Sequence, residues 1–160
     1  MNDFLQTILL VEDEAVNAML SKRILEKNGY NIILTRNGEN SIDIVKNNTQ
    51  IDLILMDIDL GPGIDGTEAA EEILKYRDLP LVFLSSHTEP EIVEKTEGIT
   101  SYGYIVKNSG ETVLLAALKM AFRLFEEKMN VRQHEKELEA TTTALQISET
   151  GVRKRLKAII

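Results

Sequence analysis

Between residues 7 and 107, short apolar runs alternate with amphipathic stretches, the order expected where parallel strands are joined by helices. The runs TILLV (7–11), NIILT (31–35), DLILM (52–56), LVFL (81–84) and GYIV (103–106) read as five strands. The third enters the stretch ILMDIDLGPGIDG (54–66), an apolar run ending in an aspartate and a glycine-rich loop, the pattern of a strand covered on both faces. Residues 15–28 place Val16, Met19, Leu20, Ile24 and Leu25 on one helical face and stop at Gly29. Asn37-Gly38 reads as a turn before a short helix over 41–46 with Ile42 and Val45 as its stripe. A third helix over 67–77 ends before Leu79, which Pro80 biases toward extended backbone. Glu89-Pro90 opens a fourth, and Ser109 is expected to cap a fifth that begins near Glu111.

The fifth helix has no stop signal where a domain would end. From Val113 to about Ser148 there is no proline, and after Gly110 the next glycine is Gly151. Leu114, Leu118, Ala121, Phe122 and Phe125 are enough to pack its first part on a sheet. Beyond them Leu124, Val131, Leu138, Leu145, Val152 and Ile159 recur every seven residues. The positions four residues after each, Lys128, Glu135, Thr142, Glu149 and Leu156, are mostly polar where a coiled coil wants a second apolar residue. Two readings of this segment stay open, a solvated connecting helix and a dimerising one. The expected division is a domain over 1–125 and a helical linker over 126–160.

Composition narrows the class. A chain of 160 residues, 43% hydrophobic and 28% charged, suits one globular domain with an extension. No apolar run approaches the ~18 residues of a membrane span, and MNDFLQT lacks the basic and apolar regions of a signal peptide. The absence of cysteine removes disulfide and thiolate chemistry, and a cytoplasmic location is expected. A net charge of -8 argues against direct nucleic-acid binding, which depends on displacing counterions from phosphates.

The chemistry collects at the carboxyl ends of the strands: Glu12 and Asp13 after the first, Asp57 after the third, Ser85 and Ser86 after the fourth, Lys107 after the fifth. In a sheet of order 2-1-3-4-5 the first and third strands are neighbours at the switch point, so three carboxylates meet there. Either their pKa values rise or a cation joins them. Oxygen ligands in small number favour Mg²⁺ retaining several waters. An aspartate beside Mg²⁺ and a lysine can attack a phosphoryl group, and the Ser85 hydroxyl can bond that group once attached. Singly, each residue has an ordinary role: Asp13 as a helix cap, Lys107 as a solvated cation, Ser85 and Ser86 on strand-end backbone, Tyr104 as a half-buried strand residue.

Together these residues resemble the receiver domain of two-component response regulators, over about residues 4–125. LVEDE supplies the acidic pair Glu12 and Asp13, LMDIDL the phosphoaccepting Asp57, VFLSS the hydroxyl of Ser85, and GYIVK both Tyr104 and Lys107. The resemblance implies an α/β flavodoxin-like (CheY-like) doubly wound five-stranded parallel sheet of order 2-1-3-4-5. It also implies Mg²⁺-dependent transfer of phosphoryl from a histidine kinase or phosphotransfer protein onto Asp57. The metal would be held by Glu12, Asp13, Asp57 and the backbone carbonyl of Asp59, the phosphoryl by Ser85 and Lys107, and Ser85 with Tyr104 would form the switch. Four departures bear on the loops. Asn108 follows Lys107 where the family usually has a cis proline, Leu60-Gly61 replaces methionine-proline, LGPGIDG is one residue longer than the common loop, and Ser86 replaces a small apolar residue.

A rival reading is a haloacid-dehalogenase-like phosphatase, with Asp57 as nucleophile, Asp59 as acid/base, and Ser85 and Lys107 following in order. That family needs an acidic pair downstream of the lysine, and no aspartate follows Asp78. The approach from ISET into RKRLKAII resembles the entry to a PAS sensor domain. The expectation is therefore the N-terminal receiver and linker of a longer protein, such as a hybrid kinase whose kinase activity would lie in that further domain, with a homodimer through the fifth helix or tail as another partnership.

Overall fold

The computed structural model describes residues 4–48, 50–100 and 102–159, with side chains described as far as Arg153. Five strands, β1 (Thr7–Val11), β2 (Asn31–Thr35), β3 (Leu53–Asp57), β4 (Leu81–Ser85) and β5 (Tyr104–Val106), form one sheet in the order β2-β1-β3-β4-β5. All its pairings are parallel. Between and after them run α1 (Ala15–Lys27), α2 (Gly38–Asn47), α3 (Gly66–Tyr76), α4 (Pro90–Ile99) and α5 (Glu111–Ile159). The chain separates into two units, 1–125 and 126–160. No helix among the described residues is long and apolar enough to cross a membrane.

The two-residue period of the strands builds two cores. Leu9, Val11, Ile54, Met56, Leu81 and Phe83 point to one side of the sheet, where Val45 of α2 and Ala69, Ala70 and Ile73 of α3 cover them. Ile8, Leu10, Leu53, Leu55, Val82 and Leu84 point to the other, against Leu25 of α1 and Leu114, Leu118 and Ala121 of α5. Every residue of β1, β3 and β4 is buried. A carboxylate at the end of such a strand therefore has little solvent of its own.

Several boundaries differ from the sequence reading. Asp57 and Ser85 are the last residues of their strands, not the first beyond them. Asp52 lies outside β3, and its carboxylate accepts the Thr7 N–H at 2.8 Å. Asn37-Gly38 is a helix start: the Asn37 side chain accepts the Asn40 N–H at 2.8 Å, and α2 begins at Gly38. Ser109 is not the cap of α5, because its hydroxyl donates backward to the Val106 carbonyl while the Gly110 carbonyl accepts from Leu114. On α1 the buried residues are Ala18 and Leu25; Val16, Met19 and Leu20 are exposed. Leu25 and, in part, Ile24 pack on the sheet core, so the face turned inward is offset from Val16, Met19 and Leu20. Of the heptad positions, Leu156 and Ile159 lie outside the described side chains, and Ile160 lies outside the described residues.

Candidate functional site

The register builds the site. β1 and β3 pair Val11 with Met56, so the next residues along, Glu12 and Asp57, come level. β4 and β5 pair Ser85 with Val106, and Lys107 follows, its N–H donating to the Ser85 carbonyl at 2.8 Å. Asp57 and Ser85 are fully buried, Glu12 is 1% exposed, Asp13 is half-buried and Asp59 is exposed.

Lys107 bridges the buried acids. Its Nζ stands 2.9 Å from Asp57 Oδ2 and 3.2 Å from Glu12 Oε2. Asp57 Oδ1 accepts the Asp59 N–H at 3.0 Å, and Glu12 Oε1 accepts the Glu14 N–H at 3.2 Å. Burial pushes the Asp57 carboxyl up to about 7; the Lys107 hydrogen bond opposes this and the Glu12 charge adds to it. Burial alone would pull Lys107 down, but its hydrogen bond to Asp57 and the charges of Asp57 and Glu12 hold it above the usual lysine range.

One ammonium does not balance three carboxylates. Ligand oxygens of Glu12, Asp13 and Asp57 lie within 4.8 Å of one another. Glu12 Oε2 is buried and makes no hydrogen bond, even though the lysine is close. Gly61 leaves Asp13 uncovered, since a Cβ there would stand 3.1 Å from Asp13 Oδ2. An all-oxygen donor set with excess negative charge and an unsatisfied buried oxygen fits a hard divalent cation such as Mg²⁺.

The loops around the site are fixed by particular residues. Gly66 is required because a Cβ would meet the Asp57 carbonyl at 2.0 Å, and its N–H donates to the Ile58 carbonyl at 2.8 Å. Among the described residues no peptide bond is cis, and Asn108, in the place of the usual proline, takes φ 65°, a left-handed conformation that asparagine tolerates. Tyr104 is half-buried and its hydroxyl donates to the His87 carbonyl.

Sequence reading overlooked His87. Its Nε2 lies 2.8 Å from Asp59 Oδ2 and its Nδ1 3.2 Å from Glu89 Oε2, so the ring ties the β3–α3 loop to the β4–α4 loop. The bond to Asp59 and that residue's charge raise its pKa. The same bond occupies the Asp59 carboxylate, which the phosphatase reading needs as an acid/base. The signal available was a histidine two residues after Ser85, in a chain with two histidines.

Comparison with known proteins bears on this geometry. The family described as response regulator receiver domain matches residues 8–119. Similar curated proteins include the transcriptional regulatory protein YvrH of Bacillus subtilis, 35% identical over 116 residues, or 71% of this chain and 47% of that protein. Another is the transcriptional regulatory protein PdtaR of Mycobacterium tuberculosis, 30% identical over 121 residues, or 75% of this chain and 58% of that protein. The chain thus spans about half the length of the curated relatives it matches. Among solved structures, the N-terminal domain of a response regulator/sensory box/GGDEF 3-domain protein from Carboxydothermus hydrogenoformans is 43% identical. It superposes with a TM-score of 0.72 over 78% of this chain and 99% of that one. A CheY-like receiver domain protein from Methanospirillum hungatei is 26% identical, with a TM-score of 0.72 over 78% of this chain and 98% of that one. Matched along its sheet, its helices and its sequence, this chain belongs to the receiver-domain family of two-component response regulators.

Proposed function

We propose that Asp57 is the phosphoacceptor of a phosphorelay and that its modification switches the chain between two conformations. The observation carrying this reading is a buried carboxylate at the end of the central strand, 2.9 Å from a lysine ammonium and grouped with two further acids. Receiver domains generally bind Mg²⁺ at such an acidic site and exchange signals with histidine kinases or phosphotransfer proteins. Glu12, Asp13, Asp57 and the Asp59 carbonyl would hold the ion, and when bound it neutralises negative charge on the phosphoryl oxygens.

The remaining steps belong to the chain. The ionised Asp57 oxygen attacks phosphorus as the bond from phosphorus to the donor imidazole breaks. The bonding pair goes to the ring nitrogen, leaving an acyl phosphate on Asp57. Lys107 meets the charge that develops on the transferring group. Ser85 Oγ accepts the His87 N–H at 3.0 Å, which leaves its own proton free for a phosphoryl oxygen. The exposed apolar residues Val16, Met19 and Leu20 suit a docking kinase or phosphotransfer helix, and Leu20 lines the same cavity of about 300 Å³ as Glu12 and Lys107.

Incubation with acetyl phosphate and Mg²⁺ tests the reading: one hydroxylamine-labile phosphoryl group is expected per chain, on the peptide spanning 54–66. No label, or label elsewhere, overturns it. Asp13→Ala is expected to weaken Mg²⁺ binding and slow labelling together by at least about tenfold, because losing a ligand acts before chemistry. An unchanged Mg²⁺ titration would leave Asp13 outside the metal site.

The output reading is that the chain forms the N-terminal receiver of a longer signalling protein, with α5 as its exit. The domain organisation of the Carboxydothermus protein, a receiver followed by a sensory box, supports it. Tyr104 stands beside the site, its hydroxyl on the His87 carbonyl next to Ser85, and its strand β5 runs on through Lys107 toward α5. Beryllofluoride, an acyl-phosphate mimic, is expected with Mg²⁺ to change amide hydrogen exchange over residues 111–125 in the wild type and not in Tyr104→Ala. Identical exchange with and without the mimic would remove α5 as the route.

A further inference from the structure

Val131, Leu138, Leu145 and Val152 of α5 stand seven residues apart and are 56, 66, 61 and 52% exposed. A row of large apolar side chains along a helix lies in water only at a cost of free energy that a partner covering it would relieve. We propose that this row is the seam of a parallel, in-register, two-stranded coiled coil formed with a second copy of the chain. The inference does not depend on phosphorylation.

The choice of partner and direction follows from the flanking residues. If the row occupies the d positions of a heptad, the a positions are Lys128, Glu135, Thr142 and Glu149. In a parallel pair each d residue packs on its own counterpart, so the apolar layers stay whole. An antiparallel pair sets a against d and puts a charged or hydroxyl side chain in every apolar layer. The charges bordering the seam agree. Parallel packing brings a g residue of one copy to the e residue five positions on in the other, joining Glu127 to Arg132 and His134 to Glu139 across the interface. Both unions join acid to base, and the five-residue spacing is wrong for pairing along one helix. A copy of the same helix therefore matches this face in its apolar layers and in these two flanking pairs.

The a layer sets the strength. Lys128, Glu135 and Glu149 each face their own copy, so association is weak and rises with concentration. Ile147, 68% exposed, lies off the seam and serves as an internal control.

The chain has no cysteine, so single cysteines report its neighbours directly. Val131→Cys, Leu138→Cys and Leu145→Cys are made in the full 160-residue chain and oxidised mildly at increasing protein concentration, with Ile147→Cys beside them. All three seam variants are expected to form disulfide-linked dimers at least about fivefold more than the control, because in-register strands place each d residue opposite itself. An antiparallel pair can bring at most one of the three sites onto itself, so a single responder overturns the proposal, as does cross-linking no greater than the control's at every concentration. Filling the polar layer with Glu135→Ile and Thr142→Ile is expected to tighten association by at least about tenfold in sedimentation equilibrium. No tightening would show that these residues do not face the seam, and the register would fall with it.

Discussion

Asp57→Asn is expected to abolish phosphoryl labelling, by at least about a hundredfold, because an amide is not a nucleophile toward phosphorus while a carboxylate is. The substitution conserves shape. Its side-chain oxygen can still accept the Asp59 N–H that Asp57 Oδ1 accepts at 3.0 Å, and Lys107 keeps Glu12 at 3.2 Å. Loss of labelling in a chain with unchanged circular dichroism and a sharp unfolding transition therefore reports the missing nucleophile. Equal labelling of the variant by acetyl phosphate with Mg²⁺ would place the acceptor elsewhere, with Asp59, two residues on but exposed, the next to test.

What the sequence made legible was the part governed by short-range pattern. Five apolar runs at regular spacing gave the strands, and a sheet order with its switch point between the first and third strands brought Glu12, Asp13 and Asp57 to one edge. Strand ends were harder. Asp57 and Ser85 belong to their strands by backbone hydrogen bonding, and a buried polar residue at the last rung looks in sequence like the start of a loop. The inward face of α1 was misplaced because a wide apolar arc does not say which part faces the sheet. Ala18 is buried where Val16, Met19 and Leu20 are not, and size weighting favours the wrong three. Ser109 reads in sequence as the cap of α5, and only its backward bond to the Val106 carbonyl takes it out of that role. His87 carried no periodic signal, because its contact with Asp59 spans 28 residues and depends on two loops meeting.

The raised carboxyl of Asp57 makes the metal-free protein less stable as pH rises. In the unfolded chain this group titrates near 3.8, and in the folded chain near 7. Between those values the native state holds a proton that the unfolded state has released, so stability is fullest below about pH 4 and falls until the folded group has ionised, just above pH 7. The loss over that interval has an upper limit of about 4 kcal/mol. His87, also raised, contributes a fall of the same sign, while Lys107, raised above the lysine range, contributes nothing below about pH 10. Asp57→Asn isolates this contribution, since it removes the titration and leaves His87 in place. Without metal, the variant is expected to gain on the wild type steadily from pH 4.5 to 7.5 in urea unfolding and then to hold a constant advantage. Mg²⁺ should reverse the order: at acid pH it must compete with a proton on Asp57, so its stabilisation of the wild type grows with pH, whereas Asp57→Asn gains less at every pH. Parallel stability curves for the two proteins across that range, with or without Mg²⁺, would mean that Asp57 titrates as an ordinary carboxylate and that its burial costs nothing for the cation to relieve.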